Sequence, residues 1–117
     1  MMMIKYFNLY LNIIMPINIF FKNNNKDDKK IDAVIQKENG RTKTISFGSA
    51  GMSDYTIHKD TERKQRYLDR HMKNEDWNDY ESAGFYATRL LWNKPSLRES
   101  INDTNNKSKN INIKLAQ

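Results

Sequence analysis

Apolar and polar positions alternate along two neighbouring stretches of the chain, residues 31–36 and 42–47. A period of two is typical of strands that bury one face. Asn39-Gly40 lies between the stretches, and this pair tolerates the positive φ angles of a type I′ turn. The pattern therefore predicts a β-hairpin whose buried side carries Ile31, Ala33, Ile35, Ile45 and Phe47.

Helical periodicity follows in three later stretches. Asp60 is a suitable N-cap for a helix from Thr61 to about Lys73, and Asp79 for a second one that ends near Trp92. A third, short helix is predicted to begin at the capping box of Ser96-Leu-Arg-Glu99. In the first helix, the side predicted to face the core carries Tyr67, Leu68, His71 and Met72.

These elements predict an α+β fold, with an N-terminal β-hairpin packed on two to three short helices. A length of 117 residues suits one such domain. We place the domain at residues 31–103, after an apolar and then Asn/Lys-rich extension at 1–30 that need not belong to the fold. Residues 104–117 are predicted to be a disordered basic tail. Gly48-Ser-Ala-Gly51 is interpreted as a flexible turn after the hairpin.

The apolar stretch 1–21 has the minimum length of a membrane-spanning helix. Lys5, Asn8 and Pro16 are costly in lipid, and no small-residue cleavage site supports a signal peptide. A membrane anchor and an accessory extension therefore remain alternatives, and a start at Met15 is a third one.

The net charge of +6 suggests an anionic partner. Much of the excess lies in the Asn/Lys-rich ends, because residues 31–101 hold twelve basic and eleven acidic side chains. Within the domain, one side of the first predicted helix concentrates positive charge that could follow a phosphate backbone. This basic arc consists of Lys59, Arg63, Arg66, Arg70 and Lys73.

Two other interpretations compete with nucleic-acid binding by the basic arc. Glu62 precedes Arg66 by four residues and Asp69 precedes Lys73 by four, so the arc can be a solvated, salt-bridged face. Exposed aromatic side chains could instead make the protein a protein-interaction module. The candidate aromatic contacts are Trp77, Phe85 and Trp92, although core packing is the other use for such rings.

Catalysis is the remote alternative. Asp54, His58, Asp60 and His71 are suitable residue types for a metal-dependent nuclease, but their order along the predicted elements does not match a ββα-metal site. The chain has no cysteine and only two histidines. We therefore predict a non-enzymatic protein with no catalytic residues, no metal, no cofactor and no small-molecule substrate.

Several strings in the folded middle are distinctive, above all Ser53-Asp-Tyr-Thr-Ile-His-Lys-Asp60 and Leu91-Trp-Asn-Lys-Pro95. Over residues 31–103 the chain resembles a family of uncharacterised small basic proteins, a domain of unknown function, from the nucleocytoplasmic large DNA viruses, the mimivirus and chlorovirus relatives. Tyr80 departs from the proline that is frequent in the family after the capping Asp. The resemblance implies a viral accessory protein of the infected host cell cytoplasm or the virion, with nucleic acid or a virion protein as its partner.

Overall fold

The computed structural model describes residues 16–24, 28–37, 39–73 and 76–115. The predicted α+β class is confirmed, with a four-stranded sheet and several short helices. In chain order the elements are β1 (Ile17–Asn23), β2 (Lys29–Gln36), β3 (Thr42–Ser49), α1 (Tyr55–His58), α2 (Thr61–His71), α3 (Ala83–Tyr86), a π-helix (Ala87–Leu91), α4 (Leu97–Lys107) and β4 (Ile111–Leu115).

The predicted hairpin corresponds to β2 and β3, which pair antiparallel with Gln36 opposite Thr42. Its loop is longer than a two-residue turn, because the hydrogen bond that closes it runs from the N–H of Lys37 to the carbonyl of Arg41, at 2.8 Å. Gly40 supplies the positive φ, at 82°. The hairpin prediction is thus confirmed, whereas the two-residue type I′ turn is wrong.

Two strands lie in segments that the sequence analysis assigned to an extension and a tail. The sheet order is β3-β2-β1-β4, so β1 lies inside the sheet, antiparallel to β2 and parallel to β4. Ile19 in β1 is 0% exposed, and Ile111 and Ile113 in β4 are also buried. The domain limits at residues 31 and 103 were therefore too narrow. The sequence analysis did not predict β1 and β4, because both are short and lie next to polar segments of low complexity.

The apolar N-terminal stretch is only partly described. Residues 1–15 of the proposed membrane anchor lie outside the described residues, and Ile17–Phe21 belong to β1. Among the helices that the structure describes, none has the length and apolar character needed to cross a bilayer.

The hydrophobic core fills the space between one face of the sheet and the segment from α3 to α4. Phe21, Phe47 and Tyr86 form its aromatic centre, with ring centroids 5.4 to 5.9 Å apart. The other buried members are Ile19, Ala33, Ile35, Phe85, Leu90, Leu91, Ile101, Ile111 and Ile113. The alternation that predicted β2 and β3 therefore reports the buried face correctly at Ala33, Ile35 and Phe47.

Helix α2 begins where the sequence predicts. The carboxylate of Asp60 accepts hydrogen bonds from the backbone N–H groups of Glu62 and Arg63, at 3.0 and 3.2 Å. Tyr67, Leu68 and His71 are half-buried, as expected for an inward side. Met72 is 59% exposed, so its assignment to the core was wrong; the helix ends at His71, one residue before it.

The second predicted helix begins later than expected. Asp79 accepts a hydrogen bond from the N–H of Glu81 in a local turn, and Ser82 caps α3 instead through the N–H of Phe85. Ser96 is confirmed as an N-cap, since its Oγ accepts from the N–H of Glu99, and its hydroxyl also donates to Glu99 Oε2.

Helix α4 extends further than the short helix predicted, to Lys107. Near its end Asn105 bonds both the N–H and the carbonyl of Ile113, which attaches β4 to α4.

Candidate nucleic-acid interface

A cleft of about 340 Å³ is lined by residues of α2, of the end of β3 and the loop after it, and of α3 and the π-helix, which follow each other without a break. Strand β2 supplies Lys29 and Lys30 at its edge. The cleft therefore combines parts of the chain that are far apart in sequence and meet only in the fold.

The end of β3 and the turn after it have the backbone geometry that glycine favours. Gly48 and Gly51 have φ angles of 77° and 79°. The flexible turn predicted over 48–51 is confirmed at Gly51, whereas Gly48 still belongs to β3. A Cβ at Gly48 would lie 2.8 Å from Leu91 Cδ1, a distance too short for a real contact. Gly48 thus allows the end of β3 to approach the π-helix, and both Gly48 and Leu91 line the cleft.

Arg63 and Arg70 line the cleft from α2, and Lys29 lines it from β2. The side chains of these three residues have no hydrogen-bond or ion-pair partner within the described part of the chain. Lys30 differs, because its Nζ lies 2.7 Å from Asp54 Oδ2, and Asp54 is only 3% exposed. One cationic side chain of the cleft is therefore neutralised, whereas three remain available to an anion.

The predicted basic arc divides into two groups. Arg63 and Arg70 line the cleft from α2, whereas Lys59, Arg66 and Lys73 are exposed and do not line it. Of these three residues only Arg66 lies within α2. Arg66 Nη1 lies 4.0 Å from Glu62 Oε2, which confirms the predicted pair between these residues. Lys59 Nζ donates to the carbonyl of Thr56 at 3.2 Å.

The acidic residue of the second predicted pair has another contact. Asp69 accepts a hydrogen bond from Gln65 Nε2 at 2.9 Å. Neutralisation within the helix therefore applies to Arg66 on the outer side, while the two arginines of the cleft keep their charge uncompensated.

Aromatic rings join α2 to the segment after the π-helix. Tyr67 lies between His71 and Trp92, with ring centroids 4.1 Å from each, and its ring is nearly parallel to that of Trp92. The ring centroids of His58 and Trp92 lie 5.3 Å apart. We call His58, Trp92, Tyr67 and His71 the aromatic ladder. The last three of these residues also line the cleft, so the ladder both fixes α2 and forms part of a wall.

Lys64 attaches the same helix by polar contacts. Its Nζ donates to the carbonyl of Asn93 at 2.6 Å and lies 5.0 Å from the ring centroid of Tyr55. Burial lowers the pKa of Lys64, with Lys94 acting in the same direction. Lys64 therefore has a structural role in attaching α2, and it was not part of the predicted basic arc.

The three aromatic residues predicted as protein contacts have different environments. Phe85 is 2% exposed and packs edge-on against Tyr86 in the core, so its assignment to a contact surface was wrong. Trp92 is half-buried in the aromatic ladder. Trp77 is also half-buried, and its carbonyl accepts from Arg89 Nε at 3.4 Å. The folded domain uses at least Phe85 and Trp92 for packing.

The residues considered for nuclease chemistry have structural contacts. Asp54 caps α1 through the N–H of Thr56. His58 Nδ1 accepts from the N–H of Asp60 at 2.9 Å, so His58 bonds locally. Backbone N–H groups, that of Arg63 before that of Glu62, lower the pKa of Asp60. The residues described include no group of three or more histidine, aspartate or glutamate side chains that could hold a metal ion.

Sequence reasoning missed part of the cleft lining. Lys29 was counted with the basic extension, and Ser53 and Gly84 were not considered as binding residues, although all three line the cleft. The Gly48–Gly51 turn was the available signal, because a loop that needs positive φ often brings backbone close to another element or a ligand. Which helix it approaches depends on the tertiary fold.

A family model described as "Family of unknown function (DUF5754)" matches residues 20–71. The matched region runs from the middle of β1 to the end of α2 and includes Lys29, Arg63 and Arg70. It excludes the wall formed by α3 and the π-helix. Neither the curated proteins nor the solved structures include a significant match to the chain.

Proposed function

We propose that this protein binds nucleic acid without sequence specificity, through the cleft and the basic arc of α2. The observation that carries the proposal is the concentration of uncompensated cations in one concave site. Arg63, Arg70 and Lys29 line it, and Asp54, the acidic residue of its lining, is already paired with Lys30. Cationic side chains held in a concave site attract a polyanion more strongly than the same charges dispersed over a surface.

The outer side of the arc extends this site. Lys59, Arg66 and Lys73 are exposed and lie beside the cleft-facing arginines on α2. A flexible phosphate backbone that leaves the cleft would meet them next. Such contacts go to phosphate oxygens, which carry no sequence information, so the binding is expected to depend on salt and little on base sequence.

The test is the affinity of the full chain for a fluorescent oligonucleotide, single-stranded or duplex, as a function of salt concentration. Roughly five phosphate contacts predict a log-log slope of about -3.5 for a single strand and about -4.5 for a duplex. The double variant Arg63→Gln/Arg70→Gln should reduce the single-strand slope by about 1.4, since two contacts are lost.

The matched control is Arg66→Gln/Lys73→Gln, which removes the same charge from two exposed residues that do not line the cleft. We expect a smaller loss of affinity, because Arg66 is already paired with Glu62. A weak dependence on salt in the unchanged protein would contradict nucleic-acid binding. Equal effects of the two double variants would contradict the assignment of the cleft as its centre.

A further inference from the structure

We infer that the cleft accepts one nucleotide of a single strand, with the phosphates on either side of it contacting Arg63 and Arg70. This inference rests on the proposed function and specifies its substrate as single-stranded rather than duplex nucleic acid. It depends on the shape and chemistry of the cleft walls, which charge alone does not determine.

The two arginines are spaced to hold a short piece of backbone. They lie seven residues apart on α2, which is two turns or about 10 Å along the helix axis. Both side chains line the cleft, one near each end of its α2 wall. Phosphates on either side of a nucleotide can contact them while the sugar and base point inward.

Part of the cleft lining is apolar and suits the faces of a base. Ala87 and Leu91, the first and last residues of the π-helix, line the cleft together with Gly84 of α3. A π-helical turn is rare and frequently occurs at functional sites. Met52 contributes a flexible thioether side chain that is 64% exposed, and it can adapt to a planar ligand.

Polar groups complete the site. Ser49, the last residue of β3, and Ser53, in the loop after it, line the cleft and carry hydroxyl groups. Hydroxyls and arginines beside apolar lining residues correspond to the mixed chemistry of one nucleotide.

The volume favours a single nucleotide over a larger ligand. A cleft of about 340 Å³ is near the lower end of the range for small-molecule sites, which begins at about 300 Å³. In a duplex the bases are paired and stacked, so a duplex can offer only phosphates to the mouth of the cleft. Single strands can insert a base, and proteins that bind them combine basic grooves with aromatic and apolar walls.

The experiment blocks the cleft without changing charge. Ala83 is exposed, begins α3 and lines the cleft, so Ala83→Phe adds a ring to the cleft. Ala50→Phe is the matched control, because Ala50 is exposed in the neighbouring loop and does not line the cleft. The full chain is titrated with a short oligothymidylate, a mixed-sequence duplex, thymidine monophosphate and polyglutamate. Equal thermal midpoints establish that both variants fold, and Ala83→Leu is the smaller substitution if Ala83→Phe does not.

We expect the unchanged protein to prefer the single strand over the duplex by about tenfold or more, the value of stacking or packing one base. Ala83→Phe should abolish this preference, whereas Ala50→Phe should leave it unchanged. The inference is overturned if Ala83→Phe leaves the preference intact, or if thymidine monophosphate or polyglutamate competes as well as the strand. If neither nucleic acid binds in a salt-dependent way, the proposed function fails as well.

Discussion

The four-stranded sheet and helix α2 are held in the fold by different kinds of contact. The sheet buries a continuous apolar face that includes Ile19, Phe21 and Phe47, and α3 to α4 cover it. Helix α2 has no fully buried residue. It depends on the Asp60 cap, the bond from Lys64 to Asn93 and the aromatic ladder.

This difference indicates that the sheet and α2 contribute to different properties of a small domain. Apolar burial scales with area and supplies most of the free energy of folding, so the sheet dominates stability. The contacts of α2 are few and directional, and they orient Arg63 and Arg70 towards the cleft. Substitutions in the two regions should therefore separate into those that change the free energy of unfolding and those that change binding.

The largest expected effect is in the sheet. Ile19→Ala removes a side chain that is 0% exposed in an inner strand, and we expect a loss of about 2–5 kcal/mol in the free energy of unfolding. Chemical denaturation of the full chain measures it. Oligonucleotide affinity under conditions where the variant is folded should stay the same. A loss below about 0.5 kcal/mol, the level of surface substitutions, would mean that β1 is not an inner strand.

The junction between the two regions comes next. Gly48→Ala imposes a positive φ on alanine and places a Cβ 2.8 Å from Leu91 Cδ1. We therefore expect the free energy of unfolding to fall by about 2–3 kcal/mol. Gly51→Ala is the control, because it has a similar φ and nothing within 4 Å of its Cβ. Gly51→Ala should cost about 1 kcal/mol. Equal losses in a denaturation series would show that the contact with Leu91 is unimportant.

In α2 itself, Tyr67→Ala should change binding more than stability. It removes the central ring of the aromatic ladder, and aromatic pairs contribute about 0.5–1.5 kcal/mol each beyond their buried area. We expect faster amide exchange confined to α2 and a lower oligonucleotide affinity. An equal increase of amide exchange in the sheet would contradict the conclusion that α2 and the sheet are stabilised by separate contacts.

The smallest effect is the response to acid. Asn93 and then Lys107 lower the pKa of Asp103 by hydrogen bonding, and backbone N–H groups lower that of Asp60. A carboxyl with a lowered folded-state pKa contributes stability that is present above its unfolded pKa of about 3.9 and is lost as the pH falls through the folded value. Denaturation at several pH values should show this decline below about pH 4. Asp103→Asn should make the decline shallower, and an unchanged pH dependence would contradict the role of Asp103.

The sequence was sufficient for features that local rules determine. Asp60 and Ser96 cap helices as predicted, and β2 and β3 follow their alternating pattern. The sequence did not reveal β1 and β4, because each is too short to be recognised as a strand by itself. The two strands pair in parallel with each other although they lie far apart along the chain. The cleft had the same limitation. Arg63 and Arg70 were grouped on one helix face with Arg66, but only tertiary packing separates them from Arg66 and brings them into one cleft with Lys29 and Leu91.

The most direct test of binding in the cleft is a map of amide chemical shifts during titration of the full chain with a short oligothymidylate. We expect the largest shifts at Gly48, Ser49, Gly84 and the cleft-facing turns of α2 around Arg63 and Arg70. Shifts at Ile19 and the other buried sheet residues should be small. Shifts confined to the Asn/Lys-rich segments outside the cleft, with Arg63 and Arg70 unperturbed, would contradict it.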